Sequence, residues 1–556
     1  MSVRPRSGVE IPELTARVAR ASNPKGTAAM WVRDRLDGLW SDEDFVAWYP
    51  RDGRAGISPA QLATVSVLQF LHNLSDRQAA EAVCCRIDFK YALGLELDDP
   101  GFHHSVLGDF RERLAREGRA DALLDLALER LKAAGLVRER GRQRTDSTRI
   151  LSAARVLTRL ELVLETVRAA VEEVARTAPE VLDGLVTAEW GERYGRQVRM
   201  CSQPSRPVSR LTQAGLDAHA LLTAVGAQTP WCQAGRQVRV LRQVLLQQFY
   251  TDAGDRLRPR DEKAGLPPAG RRIQSPYDTD ARYVSRNDTK WTGYLAHVTE
   301  TCDDEGTNVI TDVATLVSAG DIKALPGIHQ RLAHRRLLPA QHLVDAGYTS
   351  AVAIDDTARA HNTELVGPLA ARGPNRHRKQ QTGFAREDFA IDFDHRTVTC
   401  PNGKVTANWV QAPAMAPYLV ARFHKNHCAP CPDRSRCTSG ASPRTINFLP
   451  RHLHQIQAKN RADQHDPAWL RLYHSRSGVE GTVNEIVNGH RMRRCRYHQT
   501  AKVHLQHVLT AIAINIQRLS EQDPDTSTYR PRPPTAFQQY LQQREFPRPM
   551  WWRQGK

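Results

Sequence analysis

The sequence has no run of about eighteen apolar residues, which excludes an ordinary membrane-spanning helix. No apolar stretch follows the arginines of its first residues, MSVRPRSGVEIPELTARVAR, so no secretory signal is read there and the cytoplasm is the expected compartment. Cysteine is sparse: ten in 556 residues do not suggest the disulfide framework of a secreted scaffold. Acidic residues fall short of basic ones, 61 against 78, for a net charge of +17 and a pI near 9.6. That deficit points to a polyanionic partner, because neutralising phosphates releases their counterions. The plainer alternative is a basic protein kept soluble by its charge, and charge alone does not distinguish a binder from an enzyme.

What is present is ordinary for a soluble globular chain: 40% apolar and 25% charged residues. The length allows more than one cooperative unit and a large core. The first 140 or so residues read as helices. Ser58 before Pro59 is a helix start, with Leu62, Val65, Leu68 and Leu71 along one face. Ser75 and Gln78 form a capping box ahead of Ala79, Ala82 and Val83. A third helix carries Val106, Leu107, Phe110 and Leu114 among Arg111, Arg113 and Arg116. Short helices with a basic last member fit a helix-turn-helix DNA reader. They fit a helical bundle or dimerisation module equally.

The basic segment RERGRQRTDSTRI leads to Asp146, and the pattern then changes. Leu157, Leu160, Leu164, Val167, Val171 and Val174 recur at helical steps, predicting a long amphipathic helix in a helical insertion over about 151–270. Strand signals begin at Trp291: WTGYLAHVTE and NVITDVATLV, separated by DDEG, then a helical stretch and the short apolar run HLVDAGY with Asp345. Strand, strand, helix, strand predicts a mixed α/β sheet. A polar, cysteine-rich insertion is expected over about 375–450 and helix over 467–520. A proline-rich extended tail is expected over 521–556.

The segment RLYHSRSGVEGTVNEIVNGHRMRRCRYHQTAK carries the chemistry. On a helix, Tyr473, Arg476 and Glu480 share one face. A guanidinium there suits either the carboxylate or a phosphate oxygen. Arg491, Arg493, Arg494, Arg496 and Lys502 come next without an acidic residue among them. A carboxylate that holds a metal, beside cations that hold a backbone, is what a metal-dependent phosphodiester enzyme needs. The alternative is a surface helix with a salt bridge, which this spacing also produces.

The Y-x2-R-x3-E pattern resembles the signature helix of bacterial insertion-sequence transposases of the DDE superfamily. The phrases SPYDTDARY, WTGY, LVDAGY and RMRRCRYHQTAKVHL resemble one branch of it, the group numbered eleven eighty-two, across residues 35–520 or so. The resemblance implies an RNase H-like catalytic fold over 141–520, behind a helical N-terminal DNA-binding or dimerisation domain over 1–140. It implies Asp146, Asp345 and Glu480 as the catalytic carboxylates, holding two Mg²⁺ (or Mn²⁺) ions. It also implies Tyr473, Arg476 and the cations from Arg491 to Lys502 as DNA contacts. The partners it implies are double-stranded DNA, at element ends and target, and further copies of the chain in a homo-oligomer, with no membrane. In-line phosphoryl transfer agrees with such a trio, since it uses two ions about 3.5–4 Å apart that prefer carboxylate oxygens. Two positions depart from the family pattern: Val487 stands where a lysine is usual, and Gln499 where the R-Y-x-G phrase has glycine. Asp280 is the replacement should Asp146 not serve, and Glu485 the replacement for Glu480.

Cys400, Cys428, Cys431 and Cys437, spaced C-x27-C-x2-C-x5-C, suit a structural Zn²⁺ site, with His424 and His427 as substitute ligands. Four free or buried thiols are the alternative. The leading reading is a transposase that cuts and rejoins DNA. A catalytically silent DNA-binding regulator and a stand-alone metal-dependent nuclease are the alternatives.

Overall fold

The computed structural model describes residues 2–3, 10–54, 56–116, 118–200, 205–228, 235–286, 288–317, 320–369, 383–406, 409–411, 413–438, 442–522 and 534–546. Most of the proline-rich tail, including Trp551 and Trp552, lies outside them, as do Cys201 and Cys232.

Six strands make the central mixed sheet: β1 (Arg142–Leu151), β2 (Arg282–Arg286), β3 (Thr289–Thr301), β4 (Ile310–Leu316), β5 (Gln341–Val344) and β6 (Glu364–Val366). β1 lies at the centre, antiparallel to β3 and parallel to β5, and β5 runs parallel to β6. β2 and β4 both pair antiparallel with β3, one with each half of it. WTGYLAHVTE, NVITDVATLV and HLVDAGY supply β3, β4 and β5, as the apolar runs predict.

The strand signals do not, however, begin at Trp291. β1 begins earlier, at Arg142, and its buried side chains include Gln143, Arg144, Thr145 and Thr148. It has no apolar alternation because its interior contacts are polar and satisfied. The Gln143 amide donates to the Leu337 carbonyl, and the Thr145 hydroxyl bonds Thr299 and His342. Arg144 donates through Nε to Glu300 (2.7 Å) and through Nη1 to the Ser475 carbonyl (2.6 Å).

The N-terminal helices form where the caps place them. Ser58 caps Pro59–Leu71, and Ser75 with Gln78 boxes Asp76–Cys85. Their apolar faces do not close a core of their own. They share one with helices Asp321–His334 and Thr500–Gln522, through residues such as Leu68, Phe110, Leu124, Leu325, Leu509 and Ile516. A buried ion cluster crosses the same junction: Arg335 pairs with Asp121 and Asp125 on one side and Asp312 on the other. The far face of the sheet packs Ile150, Tyr294 and Val298 against Ile486, Val503 and Ile514.

Two segments carry cores apart from this one. Helices Arg159–Thr177, Ala188–Tyr194, Pro207–Gln228 and Arg236–Gln248 bury Leu160, Leu164, Val167, Leu221 and Leu241 among themselves. The chain enters and leaves this bundle at one point, where the Ser152 hydroxyl donates to Asp278 (2.5 Å). Residues 384–448 close a small core around Phe389, Trp409, Phe423 and Phe448, with Cys400, Cys428 and Cys437 against it. Among the described residues no helix is long and apolar enough to cross a membrane.

Candidate active site

β1 and β5 run side by side with Thr145 opposite Val344. The next residue on each is an aspartate, so Asp146 and Asp345 emerge as neighbours from adjacent parallel strands, whose backbones lie about 4.8 Å apart. β5 ends at Val344, and the turn beyond it fixes Asp345, whose Oδ1 accepts from the Gly347 N–H (2.8 Å). Asp146 accepts from the Ser147 N–H (2.7 Å).

The third acid arrives on a broken helix. Helix Pro467–His474 passes through a tight turn at Ser475–Ser477 into helix Gly478–Asn484, so the face shared by Tyr473, Arg476 and Glu480 survives without one continuous α-helix. Arg144 sets its position: a Cβ at Gly478 would collide with Arg144 Nη1, so only glycine lets the helix lie this close to β1. Arg476 then ties the acids together, donating to Asp146 Oδ2 (3.2 Å) and to Glu480 Oε1 (3.1 Å). Its guanidinium lies 5.9 Å from the Tyr473 ring, which stacks on Trp469. Asp146 and Arg476 are mostly buried, while the Glu480 side chain is 64% exposed.

Burial and charge set the protonation of the site. Burial pushes the Asp146 carboxyl above its usual range and the charge of Asp345 adds to this, against the Ser147 N–H and Arg476. Burial works against the Arg476 cation, yet Asp146, Tyr473, Glu480 and Asp345 together hold it more firmly protonated than usual.

A second layer has no counterpart in the sequence pattern. Asp321, buried at the start of helix Asp321–His334, accepts from the Ser147 hydroxyl (3.0 Å) and pairs with Arg286 (2.5 Å). A Cβ on Gly347 would lie 2.5 Å from Asp321 Oδ2 and 2.9 Å from Asp345 Oδ1, so the two acids flank that glycine. Beneath them His297 Nδ1 bonds the Tyr348 hydroxyl (2.6 Å). Burial above all lowers His297 to about 4 and, helped by Asp321, Asp146 and Asp345, raises Tyr348. No sequence signal marks Asp321: it sits in SAGDIKAL, a helix start like many others.

The replacement acids are engaged elsewhere. Asp278, two residues before the replacement Asp280, is not itself one of them and is buried among Ser152, Tyr294 and the Gln499 N–H. Asp280 caps helix Thr500–Gln522 through the Thr500 N–H and hydroxyl. Glu485 pairs with Arg518. Of the cations, Arg491 and Arg494 are exposed. Arg493 donates to the Arg149 carbonyl, Arg496 to the Leu74 carbonyl while lying over the Phe70 ring, and Lys502 pairs with Glu112. Val487 is buried in the single π-turn Glu485–Gly489 and faces no solvent that a phosphate could occupy.

In the cysteine-rich segment Cys400, Cys428, Cys431 and Cys437 line one cavity of about 40 Å³. The Lys404 N–H donates to Cys400 Sγ (3.3 Å), and the Asn402 amide to Cys431 Sγ (3.3 Å). Burial, then the neighbouring sulfurs, raise Cys437 against Arg444. Among the described residues no group of three or more His, Cys, Asp or Glu side chains is arranged to hold a metal ion as it stands. The donor chemistry fits nonetheless. The acids present hard carboxylate oxygens, with Arg476 between Asp146 and Glu480. The four thiols converge without closing.

Two family models match the chain. One described as a transposase DDE domain covers residues 399–520, and one described as a transposase domain (DUF772) covers residues 18–113. No curated protein and no solved structure matches it.

Proposed function

We propose that the chain, which matches transposase-domain models over residues 18–113 and 399–520, is a DDE transposase of an insertion sequence that binds the ends of its element as a homo-oligomer and catalyses DNA strand cleavage and strand transfer with Asp146, Asp345 and Glu480. One observation carries this reading: the β1–β5 register sets two aspartates side by side, and Arg476 joins one of them to a glutamate 334 residues further on. The order β4–β3–β1–β5–β6, in which β3 alone runs against the other strands, supports an RNase H-like sheet.

On this reading the three carboxylates would hold two Mg²⁺ (or Mn²⁺) ions, which when bound supply Lewis-acid activation and charge neutralisation at the scissile phosphate. The chain's own residues do the positioning. Arg476 meets the carboxylates now and has the geometry to meet a phosphate oxygen. Tyr473 flanks it, and Arg286, held by Asp321, presents a second guanidinium at the rim. Arg491 and Arg494, both exposed, would hold the duplex backbone, while Arg493, Arg496 and Lys502 also brace the segment that carries them. Cys400, Cys428, Cys431 and Cys437 would hold a structural Zn²⁺, with the Lys404 N–H bonded to sulfur as in a metal knuckle. The N-terminal helices would serve end recognition or dimerisation, in the cytoplasm.

The test is cleavage and joining of duplexes carrying the element's terminal repeats, in Mg²⁺. Wild-type protein nicks and joins, while Asp146→Asn, Asp345→Asn and Glu480→Gln do not. An Asp146→Asn protein that still nicks sinks the assignment. Cleavage of DNA without repeats and without joined products makes it a nuclease, and metal-independent binding with no product makes it a regulator.

A further inference from the structure

Between Arg193 and Arg242 the sequence carries eight arginines and one acidic residue, Asp217. The fold uses that acid up. Asp217 is buried, accepts from the Tyr194 hydroxyl (2.7 Å) and the Gln213 amide (3.0 Å), and pairs with Arg193 (2.9 Å). Beside it a cleft of about 900 Å³ opens along helices Ala188–Tyr194 and Pro207–Gln228. Arg196, Arg199, Arg206 and Arg210 line it, all four exposed, with Glu192 the one acid on its wall. Among the described residues no carboxylate pairs with any of the four.

Four guanidinium groups gathered round one cleft repel one another, and exposed positions have no packing need for arginine. A polyanion relieves the repulsion and takes two hydrogen bonds from each fork. The cleft lining includes no aromatic side chain among the described residues, and unstacked bases are held mainly on aromatic faces. The match is therefore to the sugar-phosphate backbone of a duplex rather than to a single strand.

We infer that this cleft is a backbone-binding surface for double-stranded DNA, carried by the helical insertion on its own core and separate from the three-carboxylate site. It takes phosphates without reading bases, and it rests on the proposed function only in taking DNA as the ligand. Each phosphate contact contributes about 0.9 to the slope of log affinity against log salt. Full-length wild-type protein and the Arg196→Ala/Arg199→Ala/Arg206→Ala/Arg210→Ala variant are titrated onto an arbitrary duplex of about 40 base pairs, across roughly 50–300 mM KCl, by fluorescence anisotropy. The expected result is a slope smaller by about 3–4 and an affinity at least about tenfold weaker at the lower salt. The matching four-lysine variant keeps most of the slope, as charge at the cleft requires. Should the alanine variant misfold, judged by circular dichroism, Arg199→Glu/Arg206→Glu is used and must weaken binding further than Arg199→Gln/Arg206→Gln. Wild-type and alanine protein with equal slope and affinity overturn the inference and leave the proposed function standing. Wild-type protein that binds no duplex at low salt overturns both.

Discussion

Asp146 carries a stability cost. Its carboxyl is pushed above the ordinary range by burial and then by Asp345, so the native state binds its proton more tightly than the unfolded chain does. The resulting penalty is complete above the folded pKa and is relieved as pH falls through it, since stability drops with rising pH wherever the native state binds more protons. Asp146→Asn removes the charge without the shape. Its nicking should fall by about 10³-fold or more, while its melting temperature in metal-free buffer near neutral pH should be no lower than wild type. A clear drop in that temperature would mean that the Arg476 pairing outweighs the burial. Ion binding gives an independent readout: a ligand at a hundred times its Kd adds about 2.7 kcal/mol to stability. Mg²⁺ should therefore raise the wild-type melting temperature and leave Asp345→Asn unmoved. Arg476→Ala removes the cation common to two acids and should cost about 10²–10³ in rate, the size of losing one fixed electrostatic contact. Asp321 was illegible in the sequence because its role lies in contacts made 174 residues away, at Ser147.

At the scale of elements, the sequence was legible where burial follows a period. Leu160, Leu164, Val167 and Val174 are buried on helix Arg159–Thr177, as their spacing predicts, and Leu107, Phe110 and Leu114 on helix Ser105–Leu114 likewise. It was not legible at β1, whose interior is stabilised by hydrogen bonds and an ion pair rather than apolar contact, so no two-residue alternation marks it. The resemblance, not the pattern of its own strand, is what singles out Asp146 in the sequence. Two backbone positions, Gln499 and Gly478, make opposite demands on the residue they hold. Gln499, where relatives have glycine, adopts φ +73° while its N–H donates to Asp278. That region costs a side-chain-bearing residue about 1–2 kcal/mol. Gln499→Gly keeps the backbone bond and should gain about 1 kcal/mol in urea unfolding. The opposite substitution at Gly478 meets Arg144, which is pinned at both ends and cannot withdraw. Gly478→Ala should cost about 1–3 kcal/mol as overpacking does. It should also reduce strand nicking, because the helix that leaves β1 takes Arg476 and Glu480 with it.

For the whole molecule, two kinds of attachment predict two kinds of tolerance. The helical insertion buries its apolar residues within itself and meets the sheet at a neck where Ser152 and Asp278 are hydrogen-bonded. Joining its ends with a short turn adds little closure entropy and exposes little of the sheet's core. The N-terminal helices differ, because Leu68, Phe110 and Leu124 share a core with Leu325, Leu509 and Ile516, and Asp121 and Asp125 are partners of the buried Arg335. Their removal bares that apolar face and leaves Arg335 short of two counter-charges, a loss of about 3–5 kcal/mol for a broken buried pair alone. A chain with residues 154–276 replaced by a four-residue Gly/Ser turn should remain monodisperse and unfold cooperatively. A chain lacking residues 1–136 should aggregate or bind a hydrophobic dye. Size-exclusion chromatography with thermal unfolding distinguishes the two. If the shortened chain aggregates while the N-terminal deletion folds, the core is divided the other way. The 900 Å³ basic cleft would then belong to a part the sheet cannot do without.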